Sequence, residues 1–196
     1  TIEKPTFLDR AWERIREEIS LGHQAYIVAP RISAGTSEDA DLDFLYGEAS
    51  PDIASVEDLG PKLQSGALKG LRIAPLHGRQ SSEVKNATMQ AFAQGEIDIL
   101  ISTTVIEVGV DVPNASMMVI MDADRFGVSQ LHQLRGRIGR GNSPGLCLLV
   151  TNSSVETAAR ERLDAVAATL DGFELSRIDL EQRREGDVLG ATQSGT

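Results

Sequence analysis

The chain has little of what disulfide-rich, secreted or membrane-spanning proteins need. Its single cysteine, Cys147, lies in an apolar run. An internal disulfide framework is therefore excluded, and a reducing compartment is indicated. No apolar run reaches the roughly 18 residues of a membrane span. Residues 1–8 also lack the basic and then apolar pattern of a secretory signal. We therefore expect a cytoplasmic protein, with Cys147 as a small core residue.

Basic residues are also scarce. The 196 residues include 19 Lys and Arg against 29 Asp and Glu, which gives a formal net charge of −10. This charge argues against a free-standing nucleic-acid-binding protein, because such proteins usually carry a basic surface. The charge is nevertheless patterned, since acidic residues concentrate in the segment 37–58. Four arginines fall within a short segment further on: Arg125, Arg135, Arg137 and Arg140.

Short apolar runs separated by helical patterns indicate an α/β fold. Apolar residues recur at helical spacing in 8–21, 84–93 and 155–170, and Gly95 is placed to end the second of these helices. The alternation predicts a parallel sheet flanked by helices on both faces. Its strands are expected at five runs that are apolar without alternation, namely 25–29, 72–75, 97–101, 117–121 and 145–150.

The pattern also divides the chain in two. We expect residues 1–152 to form the sheet domain and residues 153–196 to form a helical hairpin followed by a loop. The second helix of the hairpin is expected over 175–181. The first half of the segment 31–60 reads as a surface loop, because that segment has few apolar residues. Four residues of the first hairpin helix are candidate core contacts: Ala158, Leu163, Val166 and Leu170.

The run 133–140 places Arg137 and Arg140 three positions apart, with Gln133 before them. In a helix, both arginines would face one spot. Two guanidinium groups on one spot require an anion. A triphosphate that is being cleaved fits, because guanidinium groups stabilise the charge that spreads over the γ-phosphate oxygens. The alternative is a basic helix face paired with local acids. The glycines at 136, 139 and 141 disfavour it, because glycine is a poor helix former.

A second polar segment, 102–111, follows a predicted strand, and ligands of open parallel sheets gather at the carboxyl ends of strands. Its hydroxyl groups suit phosphate contacts, and Gly109 would let the backbone approach a ligand closely. Asp111 would accept a hydrogen bond from a ribose hydroxyl or orient the arginines. The alternative is a helix N-cap at Ser102 or Thr103.

A third segment, 76–79, reads Leu-His-Gly-Arg and also follows a predicted strand. Arg79 is placed to hold a nucleic-acid phosphate, and the alternative is a turn with a solvated arginine. His77 has no partner at metal-ligand spacing, so we expect no metal site here.

These segments together resemble a known family. Residues 102–113 resemble motif V and residues 133–140 resemble motif VI of superfamily 2 helicases. Within that superfamily the chain resembles the RecG family of branch-migrating DNA helicases from about Phe7 onward, including 76–79. Transcription-repair coupling factors are the alternative, although their motif V is usually closer to Thr-Gly-Ile-Asp than to the Val-Gly-Val-Asp found here. The longer matches cover 103–115, 124–127 and 129–137.

The resemblance implies a RecA-like, P-loop NTPase-like domain that carries half of a nucleotide site. Arg137 and Arg140 would act as arginine fingers on ATP with Mg²⁺ that is bound mainly by another motor domain. Gln133, Gly109 and Asp111 would face the same cleft.

The resemblance also implies DNA contacts and a coupling tail. Thr103, Thr104 and Arg79 would contact the DNA backbone. Arg183 and Gln193 fall on family positions in a tail that couples domain closure to DNA movement and contacts DNA. The two residues after Arg183 depart from the Gly-Pro usual there. The implied partners are branched duplex DNA and the first RecA-like motor domain and wedge domain of the same protein.

The sequence lacks the other half of a nucleotide site. It contains no Gly-x-x-x-x-Gly-Lys-Ser/Thr phosphate-binding loop and no Asp-Glu-x-His segment that would hold Mg²⁺. We therefore expect the chain to be the second motor domain of a larger helicase, inactive alone and without a metal site of its own. A non-catalytic nucleic-acid-binding module is the alternative.

Overall fold

The computed structural model describes residues 1–30, 55–103, 111–154, 157–178 and 180. These residues form one six-stranded sheet in the order β1-β6-β5-β2-β4-β3, and every strand pair is parallel. The predicted fold class is therefore confirmed. The strands are β1 (Ile2–Glu3), β2 (Gln24–Val28), β3 (Ile73–Leu76), β4 (Ile99–Ser102), β5 (Ala115–Ile120) and β6 (Leu146–Val150).

Five of the six strands lie where the apolar runs predict them, within two residues at each end. The exception is β1, which has only two residues and pairs with the edge of β6. A segment of this length carries no periodic signal. Only its pairing with β6 therefore defines it as a strand. The three central strands β2, β4 and β5 are fully buried along their length, as expected for strands that helices cover on both faces.

Helices cover both faces of the sheet. On one face, Trp12 and Ile15 pack with Val56 and Leu63 against the sheet. On the other face, Phe92 joins a second cluster together with the helices that follow β5 and β6. The helices are α1 (Leu8–Ser20), α2 (Val56–Ser65), α3 (Ser82–Ala93), α4 (Val128–Arg135) and α5 (Ala158–Ala168), with 3-10 turns at Pro5–Phe7 and Ala123–Arg125.

Side-chain caps explain where three of these helices begin. Ser55, Ser81 and Thr157 each accept a hydrogen bond from the backbone N–H three residues later, which satisfies one otherwise free donor of the first turn. The end of α3 is set by Gly95, whose φ is +77°. The expected glycine stop after this helix is therefore confirmed.

The C-terminal helix α5 packs on the sheet domain. Leu163 and Val166 are buried in the same cluster as α4, as expected. The expectation for Ala158 and Leu170 is wrong, because both are exposed. Ala158 is the first residue of α5, and Thr169 is extended, so Leu170 lies beyond the helix. A further helical segment covers 172–178. The division into 1–152 and 153–196 stays a prediction.

No helix within the described part of the chain is long and apolar enough to cross a membrane.

Candidate functional site

The arginines of the run 133–140 lie on a loop and not on a helix. Helix α4 ends at Arg135, and the amide of Gly136 donates the closing hydrogen bond to the carbonyl of His132 at 3.1 Å. Gly139 then takes a φ of +69°, a left-handed conformation that favours glycine. The expectation that one helix face aims both arginines is therefore wrong. We call residues 136–143 the arginine loop.

Arg140 is held by partners on both sides. Its Nη1 lies 3.0 Å from Oδ1 of Asp111, and its Nε donates to the carbonyl of Gly136 at 2.6 Å. The guanidinium group of Arg140 is therefore already paired within this domain. Of the two roles expected for Asp111, the structure shows arginine orientation, and the ribose contact stays a prediction. The pair is about half exposed, at 48% for Arg140 and 53% for Asp111, so a ligand can reach it.

The side chain of Tyr26 interacts electrostatically with both arginines of the loop and with Asp111. Tyr26 is in the middle of β2 and is buried, with its ring 5.0 Å from that of Phe92. Burial raises the pKa of Tyr26 to about 12, and the charges of Arg137, Asp111 and Arg140 also act on it. Both arginines and Asp111 therefore lie within electrostatic range of the Tyr26 side chain, although no helix aligns them.

Close backbone contacts shape the arginine loop. The amide of Gly139 donates to the carbonyl of Ala115, the first residue of β5, at 3.3 Å. A Cβ on Gly139 would lie 2.8 Å from the backbone nitrogen of Gly145. A Cβ on Gly141 would lie 2.6 Å from the carbonyl oxygen of Pro113. These glycines are required because the loop backbone touches neighbouring backbone directly.

The far end of the arginine loop reaches a buried polar network. Oγ of Ser143 lies 3.1 Å from Nε2 of His23, and Nδ1 of the same ring lies 2.7 Å from Oε2 of Glu18. Glu18 is buried and also accepts from Oγ of Ser116 and from Nη2 of Arg14, each at 2.5 Å. The loop is thus connected to α1 and to β5 by side chains.

The net effect of this network lowers the pKa of Glu18. Burial alone would raise the pKa of its carboxyl. The hydrogen bonds from Ser116 and His23 and the charge of Arg14 together lower this pKa by a larger amount than burial raises it. The carboxylate is therefore ionised at neutral pH although it is buried.

The structure separates the predicted DNA contacts from the arginines. Leu76 and Ser102 are paired at the carboxyl ends of β3 and β4, so Arg79 and Thr103 follow at that edge. Arg79 is exposed, whereas Thr103 is buried, with its amide donating to the carbonyl of Leu76 at 3.3 Å. The arginine loop instead contacts the amino end of β5. The two ends of the segment 102–111 therefore lie apart, because Thr103 follows the carboxyl end of β4 whereas Asp111 pairs with Arg140 of the arginine loop.

The other predicted site residues are distributed as follows. Gln133 is exposed on α4. Arg135, which belongs to the same basic run, donates to the carbonyls of Val166 and Thr169 and so joins α4 to α5. Among the described residues, no three His, Cys, Asp or Glu lie close enough to hold a metal ion. Four predicted site residues lie outside the described residues: Thr104, Gly109, Arg183 and Gln193.

Sequence reasoning missed the network behind the arginine loop. Glu18, His23, Ser116 and Ser143 are spread over more than half of the chain and match no motif. The only local signal is His23, which is the residue immediately before strand β2.

Comparison with known proteins shows which family the chain belongs to. Residues 11–142 match the family described as the helicase conserved C-terminal domain. The chain therefore belongs to this family. Within it, the sequence is 56% identical over 193 residues to the ATP-dependent DNA helicase RecG of Mycobacterium tuberculosis. It is 43% identical over 187 residues to RecG of Staphylococcus epidermidis. The resemblance to superfamily 2 helicases of the RecG type is confirmed.

The chain spans about a quarter of the length of these relatives. The M. tuberculosis match covers 98% of the chain and 25% of RecG, and the S. epidermidis match covers 95% and 25%. Among solved structures, RecG bound to a three-way DNA junction matches 91% of the chain and 21% of that protein, with a TM-score of 0.69 and 37% identity. The yeast DEAD-box splicing factor Prp28 shares the fold, with a TM-score of 0.55 and 20% identity. This match covers 86% of the chain and 32% of that protein.

The arginine loop should tolerate no side chain at Gly139. We expect Gly139→Ala to lower the free energy of unfolding by about 2–5 kcal/mol, because it combines left-handed strain with a backbone clash. Gly22→Ala is the matched control, since Gly22 has a φ of +85° but open space around its Cβ. It should cost about 1 kcal/mol. Urea unfolding measures both, and equal losses would contradict the close contact.

The Glu18 carboxylate should make stability depend on acidity. Because its folded pKa is below the ordinary value of 4.5, its contribution is present above that value and is lost as the pH falls through the folded pKa. We expect Glu18→Gln to cost about 1–3 kcal/mol at neutral pH. Urea unfolding should show this deficit shrinking below pH 4.5. A deficit that is constant with pH would show that the charge is not responsible.

Proposed function

We propose that this chain is the second motor domain of an ATP-driven translocase that acts on branched duplex DNA. The observation that carries the proposal is the accessible pair of Arg140 with Asp111, together with the charge of Arg137, which acts on the same Tyr26 side chain. The similarity to RecG, including a RecG structure bound to a three-way DNA junction, supports DNA as the partner.

The geometry suits a nucleotide site that a second domain completes. The Arg140–Asp111 pair is exposed, and exposed pairs are worth at most about 1 kcal/mol. A bound triphosphate can therefore attract the guanidinium group of Arg140 at little cost. Arg137 would approach the same γ-phosphate, and Gln133 and Gly109 would line the cleft. ATP and Mg²⁺ would be held mainly by the first motor domain, because this sequence has no phosphate-binding loop.

DNA would meet a different part of the domain. Arg79 is exposed at the carboxyl edge of the sheet, and Thr104 follows the buried Thr103 in the sequence there, so Arg79 and Thr104 are the better candidates for the contact. Contacts of this kind to the DNA backbone position a protein on the duplex without reading the DNA sequence. Closure of two motor domains on ATP, followed by opening after hydrolysis, would then move these contacts along DNA.

Removing either arginine should abolish turnover. In the full-length protein that carries this domain, Arg137→Ala and Arg140→Ala should each lower the kcat of DNA-stimulated ATP hydrolysis by about 10³ or more, since arginine fingers contribute about 10³–10⁵. Arg72→Ala is the matched control. It breaks another arginine–aspartate pair, in which the exposed Arg72 lies 2.6 Å from the partly buried Asp98, beside the edge strand β3 and away from the arginine loop, so the rate should not change. Unchanged hydrolysis in both loop variants would refute the finger assignment.

The tail should be separable from hydrolysis. We expect Gln193→Ala, and likewise Arg183→Ala, to leave the ATP hydrolysis rate unchanged and to impair unwinding of a DNA junction. The reason is that coupling residues act after the chemical step and contact DNA rather than the nucleotide. Paired ATPase and unwinding assays measure the split. Equal losses of both activities would exclude a coupling role.

The chain alone should bind DNA weakly and with strong salt dependence, and ATP hydrolysis by the chain alone would contradict the proposal as a whole.

A non-catalytic nucleic-acid-binding module, or the corresponding domain of a transcription-repair coupling factor, would give a different result. A binding module would retain its DNA affinity in both arginine variants, and no added domain would confer ATP hydrolysis. A coupling-factor domain would confer hydrolysis with its own motor partner and not with one of the RecG type.

A further inference from the structure

The arginine loop is restrained unevenly along its length. At its start, backbone hydrogen bonds to residues of α4 continue the helical turn, and in its middle the amide of Gly139 bonds to Ala115. Its far end borders an open cavity of about 350 Å³, lined by His23, Pro113, Asn114, Ser116, Gly141, Asn142 and Ser143. Side-chain packing is therefore incomplete there, and the hydrogen bond between Ser143 and His23 bridges the loop to the sheet domain.

Glu18 is a rigid support for that bridge. It lies in α1, and its carboxylate is also hydrogen-bonded to Ser116 of β5, so it is fixed relative to both elements. A carboxylate only accepts hydrogen bonds, so Nδ1 of His23 must carry the proton. The tautomer of a neutral His23 is thereby set, and Nε2 presents its lone pair to the hydroxyl of Ser143. The chain of contacts Glu18–His23–Ser143 thus has a defined direction.

We propose that Glu18 and His23 are positioning residues that hold the arginine loop, through Ser143, in the conformation that presents Arg137 and Arg140. This inference rests on the proposed function, because it matters for catalysis only if the arginines contact a nucleotide. Neither positioning residue touches the nucleotide; both act through the loop. Displacement of a catalytic group by about 1 Å costs up to about 10²-fold in rate, so restraint of a loop end is consequential.

Two serines provide a matched test in the full-length protein. Ser143→Ala detaches the loop and should lower the kcat of ATP hydrolysis about fivefold to tenfold, with the KM for ATP changed by less than about twofold, since arginine position matters in the transition state. Ser143→Thr, which keeps a hydroxyl, should restore kcat. Ser55→Ala removes the cap at the start of α2, outside the network, and leaves the loop attached. It should lower thermal stability and spare kcat.

Hydrogen exchange measures the restraint without ATP. The amide of Gly139 should exchange faster after Ser143→Ala and after His23→Ala, and should keep its wild-type rate after Ser55→Ala. This readout does not depend on hydrolysis. If Arg137→Ala and Arg140→Ala leave hydrolysis intact, the proposed function fails while Gly139 exchange still decides whether the loop is restrained.

Two results would overturn the positioning role. One is wild-type kcat and wild-type Gly139 exchange in Ser143→Ala. The other is an equal fall of kcat in Ser143→Ala and Ser55→Ala, because the loss would then reflect general stability and not the position of the loop.

Discussion

Parallel pairing of β4 and β5 with the same central strand, β2, is the constraint from which the layout of the surface follows. Each parallel connection must carry the chain from the carboxyl edge of the sheet back to the amino edge. The connection from β4 to β5 therefore begins at Thr103 on one edge and arrives past Asp111 at the other. It supplies two residues predicted to contact DNA, Thr103 and Thr104, and one residue that pairs with an arginine. The same crossover thereby joins the two proposed surfaces of the domain.

The arginine site is built by backbone and is only lightly held by side chains. Gly139 and Gly141 let the loop touch Gly145 and Pro113 directly, which fixes the path of the backbone. The guanidinium of Arg140 is held by one exposed carboxylate and one carbonyl. Such contacts are weak enough to exchange for phosphate and specific enough to keep the side chain oriented beforehand. This combination is what a site completed by a second domain requires.

Particular residues show which parts of the candidate site could be read from motifs and which parts of its geometry could not. Arg137 and Arg140 were identified by residue type and spacing, because guanidinium chemistry does not depend on which element carries it. Their helical alignment was wrong, because Gly136 and Gly139 favour a turn over continuation of α4. Glu18 and Ser143 were missed because their relation arises from a contact over more than 100 positions of sequence. Leu170 was expected in the core because periodicity does not reveal that Thr169 is extended.

The sequence by itself determined the parallel α/β class and five of the six described strands, and it singled out the two arginines of the proposed half-site. These properties are local, since apolar runs, glycine stops and motif residues are visible within short windows. Only the tertiary structure decided that Arg140 is paired with Asp111 and that β1 completes the sheet. It alone connected the arginine loop to a buried carboxylate on α1. These are contacts between distant segments, and they exist only once the crossovers have brought those segments together.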